Sequence, residues 1–429
     1  MKNIKRKMSF ALCIAFMLIF NTACNNKEPI KAEDKPLIKG NILIWSNLQD
    51  SNTVKDLANN FTLKNPNVKI QVETLDDISI LGQFDSKSNG NEKLPDIVVI
   101  KDDEAAGFLN QHKEKLMDVV SAAGLKKDEY LKCKIDNLSN GGKTYGVPWY
   151  IEPVVMVYRN DILNQIGSNA EDIKTWNDYI QTGTKLLQTS GKKMLVGMND
   201  NNSTLYSDLI KQLGINYLND SGDIDVNSKN SINTVMLLKN LSDQKIQSVV
   251  SSQEDAINAF KSGEAASIIC TPAILNAIKN KAPELKDKLS IGKLPAFEPG
   301  GNRNVARYGS SFMLTRSADN SNAAIEFVKY AIQDKDNQIK HYTQNGLLVA
   351  DISAYAGDKM YTSDSYFNNE KLGLIYIDIA RNMPCIKYNE YYIDIRNMVI
   401  KTTADAISQN KDLVKTMEEI QKQVNENPI

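Results

Sequence analysis

Residues 41–73, NILIWSNLQDSNTVKDLANNFTLKNPNVKIQVE, contain the alternation of elements that fixes the fold class. The run NILIWS (41–46) is apolar and rich in strand-forming residues, and VKIQVE (68–73) alternates as a strand does. Between them, apolar residues recur at helical spacing as far as Phe61, and Pro66 ends the helix. A strand, a helix and a second strand at this spacing form a βαβ unit with parallel strands. The sequence therefore predicts an α/β fold.

The same alternation continues along the chain. The runs PDIVVI (95–100) and VVMVY (154–158) are short, apolar and typical of buried strands. The pattern then restarts with a helix at 175–187, TWNDYIQTGTKLL, and a strand at 195–198, LVGM, while residues 391–424 favour helix almost throughout. A body of about 400 residues is large for a single core. We therefore expect two α/β lobes with more than one crossing between them.

The N-terminus has the pattern of a secretory signal, which we assign to residues 1–23. A basic start is followed by a thirteen-residue apolar run, Met8–Phe20, which is short for a membrane span. The run ends in NTAC, which resembles the lipobox of bacterial lipoproteins, in which the cysteine is diacylated and becomes the mature N-terminus. Asn21 stands where the usual Leu would be. We expect lipidation at Cys24 and a flexible tether over 24–39, the alternative being an ordinary signal with an incidental cysteine.

Charge and cysteine content exclude several classes of protein. The chain has 51 basic and 52 acidic side chains, and removal of four basic residues with the signal leaves a formal charge of −5. This balance indicates no nucleic-acid partner and no cationic membrane face. Beyond Cys24, only Cys133, Cys270 and Cys385 remain, which is no disulfide framework. Stability outside a cell must then come from burial of the core.

No motif for catalysis, metal binding or cofactor binding is present. The only histidines are His112 and His341, and HExxH, CxxC, GxGxxG and GxSxG are all absent. The adjacent carboxylates Asp102 and Asp103 could act as an acid and a base, but such pairs after a strand are more often solvated or capping groups. We therefore expect no catalytic residue, no metal and no cofactor.

A series of phrases, in order, resembles the extracellular solute-binding proteins of ABC importers. The resemblance runs from about residue 40 to the C-terminus and is to the sugar-binding branch that includes the maltodextrin-binding proteins. The phrases are ILIWSNLQD, FTLKNPNVKIQVE, LPDIVVI, YGVPWYIEPVVMVYRNDIL, TWNDY, AFKSGEAASII, LPAFEPGG and AAIEFVKYAIQD. The resemblance implies a two-lobed, class II periplasmic-binding-protein-like fold with the ligand cleft between the lobes. We place 40–148 plus 271–314 in lobe 1, and 149–270 plus 315–429 in lobe 2.

The resemblance gives a role to the aromatic stretch YGVPWYIEP, residues 145–153. In maltodextrin-type members, an acidic residue four positions after the crossing proline binds sugar hydroxyls, and here that residue is Glu152. A carboxylate accepts two hydrogen bonds from adjacent hydroxyls, and the C–H faces of a sugar stack on aromatic rings such as Trp149 and Tyr150. The alternative is that the aromatics seal the hinge and Glu152 caps a turn.

Further ligand contacts are expected where strands end at the cleft. The strand ends supply Trp45, Asn47 and Gln49 after the first strand, and Asp103 after PDIVVI. The resemblance adds Asn202, Tyr308 of the return crossing and Tyr392. It also shows departures from the maltodextrin pattern, because Ala273 stands where that branch has a stacking Trp. The resemblance thus implies a sugar ligand without implying maltose.

Together, these observations predict a monomeric receptor anchored by lipid at the extracellular face of the bacterial cytoplasmic membrane. It would bind a sugar or oligosaccharide and deliver it to the permease of an ABC transporter. One alternative keeps the family but changes the ligand to a polyamine, a peptide or an organophosphate. Another is a secreted carbohydrate-active enzyme, which would release a product where a receptor returns its ligand unchanged.

The lipobox hypothesis predicts that Cys24→Ser abolishes acylation. Two acyl chains suffice for stable membrane attachment, so the variant should also leave the detergent phase. Labelled fatty-acid incorporation and detergent partitioning measure the two effects. A variant that still incorporates label like the parent would show that Cys24 is not the anchor.

Overall fold

The computed structural model describes residues 37–90, 92–200, 203–307, 309–316 and 321–426. The predicted lipidation residue Cys24 lies outside these ranges. The chain from Lys39 onward forms one unit. Its strands are β1 (Gly40–Asn47), β2 (Val68–Leu75), β3 (Ile97–Lys101), β4 (Ser139–Asn140), β5 (Lys143–Thr144), β6 (Gly146–Pro148), β7 (Tyr150–Pro153), β8 (Val155–Arg159), β9 (Lys193–Met198), β10 (Gln247–Val250), β11 (Ala265–Cys270), β12 (Leu289–Gly292), β13 (Ala306–Arg307), β14 (Ser310–Leu314) and β15 (Leu348–Val349).

Helices cover most of the remaining chain, with short turns of 3-10 helix between them. The α-helices are α1 (Ser51–Lys64), α2 (Asp77–Asn89), α3 (Asp102–His112), α4 (Val119–Ala123), α5 (Lys132–Asn137), α6 (Asn160–Leu163), α7 (Trp176–Ser190), α8 (Ser203–Gln212), α9 (Lys229–Asp243), α10 (Gln253–Ser262), α11 (Pro272–Lys281), α12 (Ser321–Gln333), α13 (Lys335–Lys340), α14 (Leu372–Asn382), α15 (Tyr392–Ser408) and α16 (Leu413–Glu426).

The first lobe is built on a five-stranded sheet in the order β2-β1-β3-β14-β6. Strand β1 pairs in parallel with both β2 and β3, which confirms the predicted βαβ unit. Strand β14 runs antiparallel to β3 and β6 and returns from a distant part of the chain. One face of the sheet packs against α2 and α3 through Trp45, Phe84 and Phe108. Burial on this face explains the nearly continuous apolar runs of β1 and β3.

The second lobe has its own five-stranded sheet in the order β10-β9-β11-β8-β12. Strands β10 and β11 pair in parallel with β9, and β8 runs antiparallel to β11 and β12. Helix α7 begins at Trp176, directly after the N-cap residue Thr175, where the sequence predicts a helix start. The Thr175 hydroxyl accepts a hydrogen bond from the backbone N–H of Asp178 (3.1 Å), and the Asp178 carboxylate accepts one from the N–H of Thr175 (2.8 Å). This reciprocal capping box fixes the helix start.

The lobe boundaries inferred from the sequence need two corrections. Strand β12 falls within 271–314, which we assigned to lobe 1, but it pairs with β8 of the second sheet. Helix α12 falls within 315–429, which we assigned to lobe 2, but it packs on β1 and β14 of the first lobe. Its Phe327 ring lies 5.5 Å from Phe61 and 6.4 Å from Phe312 between centroids. Pairing and packing with distant strands, which local sequence does not reveal, decide both positions.

A small third sheet, in the order β13-β7-β15, connects the lobes. Strand β7 lies between β6 of the first sheet and β8 of the second, and β13 lies between β12 and β14 on the return crossing. Gly309 sits beside this sheet with φ +67°, and a Cβ there would lie 2.4 Å from the Tyr150 carbonyl oxygen. Only glycine fits, because the two crossing segments approach each other so closely.

A buried ion pair holds the two crossings together. Lys134 Nζ, on α5, lies 2.6 Å from Asp102 Oδ2, and both side chains are 0% exposed. The same ammonium donates to the carbonyl oxygens of Tyr150 (2.6 Å) and Ser310 (3.1 Å). Ser311 Oγ donates to the other Asp102 oxygen at 2.6 Å. Burial raises the pKa of Asp102 to about 6 and lowers that of Lys134, while each partner favours the charge of the other.

Removing the ammonium should cost much more stability than removing a neighbouring surface lysine. Lys134→Ala leaves the Asp102 carboxyl buried without its counter-ion and frees two hinge carbonyls, so the free energy of unfolding should fall by about 3–5 kcal/mol. The matched control is Lys132→Ala on the same helix, because Lys132 pairs with Asp136 at the surface and is 84% exposed. Chemical denaturation measures both variants. Equal stability of the two variants would contradict a hinge role for Lys134.

Candidate functional site

The turn after β1 supplies a carboxylate that is held by three side chains. Asp50 Oδ1 accepts a hydrogen bond from the Tyr150 hydroxyl (2.6 Å), and Asp50 Oδ2 accepts from Ser310 Oγ (2.5 Å) and Asn47 Nδ2 (2.8 Å). The backbone N–H of Asp50 donates to Asn47 Oδ1 at 2.9 Å. This network joins the first strand end to both crossings. It fixes the position of the exposed Gln49, which lies between Asn47 and Asp50.

Glu152 lies on the central strand of the hinge sheet. Its side chain is mostly buried, with the residue 9% exposed, and Oε2 accepts a hydrogen bond from Gln49 Nε2 at 3.4 Å. On the paired strand β13, Arg307 lies directly opposite. Burial raises the pKa of Glu152, and the positive charge of Arg307 opposes that rise. Among the residues described, Gln49 is its one hydrogen-bond partner, so these residues leave part of the capacity of the carboxylate to accept hydrogen bonds unused.

The Arg307 guanidinium is oriented by a carboxylate of the second lobe. Nε and Nη2 donate to the two oxygens of Asp208, on α8, at 3.0 and 2.9 Å. The Arg307 side chain keeps 27% of its surface exposed, whereas Asp208 is almost fully buried. Burial disfavours the charge on Arg307, but the pairing with Asp208 outweighs it and raises the pKa of the guanidinium. This bidentate ion pair holds the Arg307 guanidinium as a fixed hydrogen-bond donor beside Glu152.

A cavity of about 210 Å³ opens beside the Arg307–Asp208 pair. Its walls come from the second lobe, chiefly strands β9 and β11 with the helices that follow them. Apolar side chains such as Met198, Ile268 and Ile269 line it together with the two charged groups. An apolar wall beside oriented polar groups is the usual composition of a small-molecule site. The cavity lies at the carboxyl ends of β9 and β11, where parallel sheets place their ligands.

A second ionic cluster joins elements of both lobes. Asp103, at the start of α3 in the first lobe, lies 3.9 Å from Lys211 Nζ on α8 and 3.3 Å from Arg396 Nη1 on α15. The Asp103 side chain is 17% exposed. Burial lowers the pKa of Lys211, and Asp103 opposes this by favouring its charge. Asp103 therefore contacts groups that a lobe movement would separate.

The structure brings some of the predicted site residues together and buries others. Gln49 and Glu152 contact each other, and Asp103 lies at the interface of the lobes. Five other predicted residues are almost fully buried: Trp45, Asn47, Trp149, Tyr150 and Tyr392. Asn202 and Tyr308 lie outside the described residues.

The buried aromatics have structural partners. Trp45 points to the face of β1 that α2 and α3 cover, and its Nε1 donates to Glu73 at 2.9 Å. Trp149 packs on Phe312, with ring centroids 4.8 Å apart, and its Nε1 donates to His341 Nε2 at 3.5 Å. Burial lowers the pKa of His341 to about 4, so the ring is neutral and accepts. In this conformation both aromatics of the crossing, Trp149 and Tyr150, are buried within the protein.

Tyr392 is also packed inside the protein. Its ring centroid lies 4.6 Å from Tyr388 and 5.6 Å from Tyr217. Tyr217 is in turn bonded through its hydroxyl to that of Tyr206, with 2.7 Å between the oxygens. This aromatic cluster lies beside the Asp103 ion pairs, since Arg396 is one helical turn after Tyr392. Tyr392 therefore supports the wall of the site in this conformation.

The sequence analysis missed five charged residues at the site: Asp50, Asp208, Lys211, Arg307 and Arg396. A signal did exist for Arg307, because it directly precedes Tyr308 on the return crossing. Successive side chains of an extended segment point to opposite faces, so either of the two could face the cleft. Lys211 and Arg396 carried no such signal, because they lie on amphipathic helices rich in charge. None of the residues expected at the cleft is a cation. The structure adds three, and every one of them has a carboxylate partner.

The described residues of the site offer oriented hydrogen-bond donors and acceptors. Among the described residues, no group of three or more His, Cys, Asp or Glu side chains is arranged to hold a metal ion. None of the helices in the described ranges is both long and apolar enough to cross a bilayer. The paired charges would bind a ligand that both donates and accepts hydrogen bonds and carries little net charge.

A model of the bacterial extracellular solute-binding proteins matches residues 56–369, well over half of the chain. The chain belongs to this family. An arabinooligosaccharide-binding protein of Bacillus subtilis (strain 168) is 24% identical over 370 residues, covering 83% of this chain and 85% of that protein. A lactose-binding protein of Rhizobium radiobacter is 24% identical over 399 residues, covering 90% of this chain and 89% of that protein.

Solved structures share the fold of this solute-binding protein at low sequence identity. The GacH receptor of Streptomyces glaucescens GLA.O superposes with a TM-score of 0.72 at 17% identity, covering 91% of this chain and 99% of that chain. The galacto-N-biose-/lacto-N-biose I-binding protein of Bifidobacterium longum gives 0.72 at 16% identity, covering 92% and 98%. The predicted family and two-lobed fold are confirmed. The family consists of binding proteins, so the alternative of a carbohydrate-active enzyme is set aside.

Proposed function

We propose that this solute-binding protein captures a sugar or oligosaccharide in the cleft between its lobes and delivers it to an ABC transporter permease. The observation that carries the proposal is the match, over most of both chains, to relatives named for oligosaccharide and disaccharide binding. The geometry agrees with it. Glu152 and Asp103 accept hydrogen bonds from hydroxyls, Gln49 and Arg307 donate to them, and the apolar wall near Ile268 suits the C–H faces of a sugar ring.

Charge balance favours a neutral ligand over the other solutes. An organophosphate would need cations free to receive it, but Arg307, Lys211 and Arg396 already have carboxylate partners. A polyamine would compete with those same cations for the carboxylates. A sugar hydroxyl both donates and accepts, so it can join each pair without displacing a charge.

Capture would proceed by hinge closure. The crossing strands β7 and β13 pair with each other. The residues proposed to contact the ligand come from both lobes. A ligand that contacts both lobes binds the closed state better and shifts the equilibrium toward it. The N-terminal pattern supports a lipid anchor at Cys24, which would hold a monomeric receptor at the outer face of the cytoplasmic membrane next to the permease.

A ligand screen by melting temperature tests the proposal. Arabino- and galacto-oligosaccharides, lactose and maltodextrins are compared with spermidine, short peptides and glycerol phosphate. A ligand that binds only the folded state raises the melting temperature, by the equivalent of about 2.7 kcal/mol at a hundredfold excess over Kd. We expect at least one sugar to do so. Stabilisation by a non-sugar alone would overturn the assignment, and an unchanged small-angle scattering curve with the bound sugar would refute closure.

Glu152→Gln should weaken binding of the sugar found in that screen while leaving folding intact. The amide keeps the shape and one acceptor but loses the charge-assisted hydrogen bonds, each worth about 1.5–3 kcal/mol, so Kd should rise about tenfold to a hundredfold by calorimetry. Glu92→Gln is the control, because Glu92 is an exposed carboxylate on the first lobe.

The pH dependence of binding gives a second readout. Because burial raises the pKa of Glu152, the carboxylate takes up its proton at a less acidic pH than an exposed Glu does. The affinity of the parent protein for the sugar should therefore fall as the pH drops through the raised pKa of Glu152. The affinity of Glu152→Gln should change less over the same pH range. A variant that melts early yet binds normally would assign Glu152 a structural role.

A further inference from the structure

Two cysteines that are far apart in sequence meet at the edge of the first lobe. Cys133 is on α5, and Cys385 is in the segment between α14 and α15. Both thiols are free in the structure, and each shifts the pKa of the other. Cys133 is buried, whereas Cys385 is exposed to solvent. The pair plays no part in the ligand site, so its position needs a separate explanation.

Hydrogen bonds from the Asn137 side chain to the backbone after Cys385 hold the two cysteine segments together. Asn137 Nδ2 donates to the Ile386 carbonyl oxygen at 2.8 Å, and the Tyr388 N–H donates to Asn137 Oδ1 at 3.0 Å. Residues four apart on a helix share one face, so Cys133 lies one turn before Asn137 on the face toward this segment. Cys385, the residue before Ile386, then lies opposite Cys133.

The segment is held from its other side as well. Asn389 Nδ2 donates to the Asn216 carbonyl oxygen at 2.7 Å, and Asn216 Nδ2 donates to the Lys387 carbonyl oxygen at 3.3 Å. Residue 216 follows α8 of the second lobe. The position of Cys385 is therefore set by hydrogen bonds from its neighbours in sequence to two separate elements.

We propose that Cys133 and Cys385 are a redox modification site that forms a disulfide in the oxidising medium outside the cell. Disulfides persist in that compartment, where the family of this chain is placed. The chemical partner is a small disulfide such as oxidised glutathione. The sequence analysis excluded a framework of several bridges, and this single bridge does not require one.

The environment of the two thiols sets the order of the steps. The Cys133 thiol donates to the sulfur of Cys385, which lowers the pKa of Cys385, while the same hydrogen bond and burial raise the pKa of Cys133. The exposed Cys385 thiolate attacks glutathione disulfide, forming a mixed disulfide and releasing one glutathione thiolate. The Cys133 sulfur then attacks Cys385 and displaces the second glutathione. The two thiol protons end on two reduced glutathione molecules, so the exchange balances.

The bond would fasten the 384–388 segment to the helix that carries Lys134. It would also close a loop of about 250 residues and so restrict the unfolded chain. Cys270 provides a contrast within the same protein. It is fully buried in β11, and burial raises the pKa of its thiol. Its thiol should stay reduced under conditions that oxidise the pair.

The test equilibrates the purified full-length protein with reduced and oxidised glutathione, blocks free thiols and maps peptides without reduction. We expect a Cys133–Cys385 linked peptide two hydrogens lighter than its parts, with Cys270 still free to be blocked after unfolding. The oxidised protein should melt about 5 °C above the reduced protein, an increase that dithiothreitol reverses.

Two single variants make the mapping decisive. In Cys133→Ser, the exposed Cys385 should retain one glutathionyl group, and the melting temperature should not depend on redox state. In Cys385→Ser, the buried Cys133 should remain unmodified. The proposal is overturned if the parent protein carries glutathione on Cys385 without a linked peptide, if neither thiol reacts, or if the link forms only in denaturant.

Discussion

The buried ammonium of Lys134 holds both crossings of the hinge against the first lobe. A charge this deep is tolerated only with a counter-ion and a full set of acceptors, and Asp102 with two backbone carbonyls supplies them. Those carbonyls belong to Tyr150 and Ser310, which open the two strands where the chain leaves and re-enters the first lobe. The close approach at Gly309 follows from the same clamp. The ion pair thus fixes the geometry of both crossings, about which the proposed closure would rotate the lobes.

The site around this hinge is rich in charge but balanced. Arg307 is oriented by Asp208, and Lys211 and Arg396 share Asp103. Each pair combines a donor and an acceptor at fixed positions, which suits the hydroxyls of a sugar. Lys211 and its partner Asp103 lie on different lobes, so the proposed closure and the proposed ligand binding would involve the same groups. Ligand affinity and the proposed lobe movement would therefore be coupled directly through these ion pairs.

How much of the site could be predicted differs from residue to residue. The resemblance nominated Glu152, four positions after the crossing proline. In the structure its mostly buried carboxylate accepts a hydrogen bond from Gln49, and its role in ligand binding stays a prediction. Trp149 and Tyr150 were expected to offer stacking faces, but they pack on Phe312 and bond to Asp50. Aromatic rings at a crossing have large apolar area, and the hinge buries it. Local sequence cannot distinguish the two uses, because both require large rings in an extended segment.

The sequence by itself determined the order of strands and helices, the parallel βαβ unit at its start and the family. The elements depend on local periodicity and capping residues, and the family on a series of short phrases that keep their order along the chain. Only the tertiary structure decided which lobe holds β12 and α12, which cations meet Asp103, and that Cys133 faces Cys385. Each of these is a contact between residues far apart in the chain. Such contacts are set by the packing of whole sheets and helices, and no local pattern of side chains encodes them.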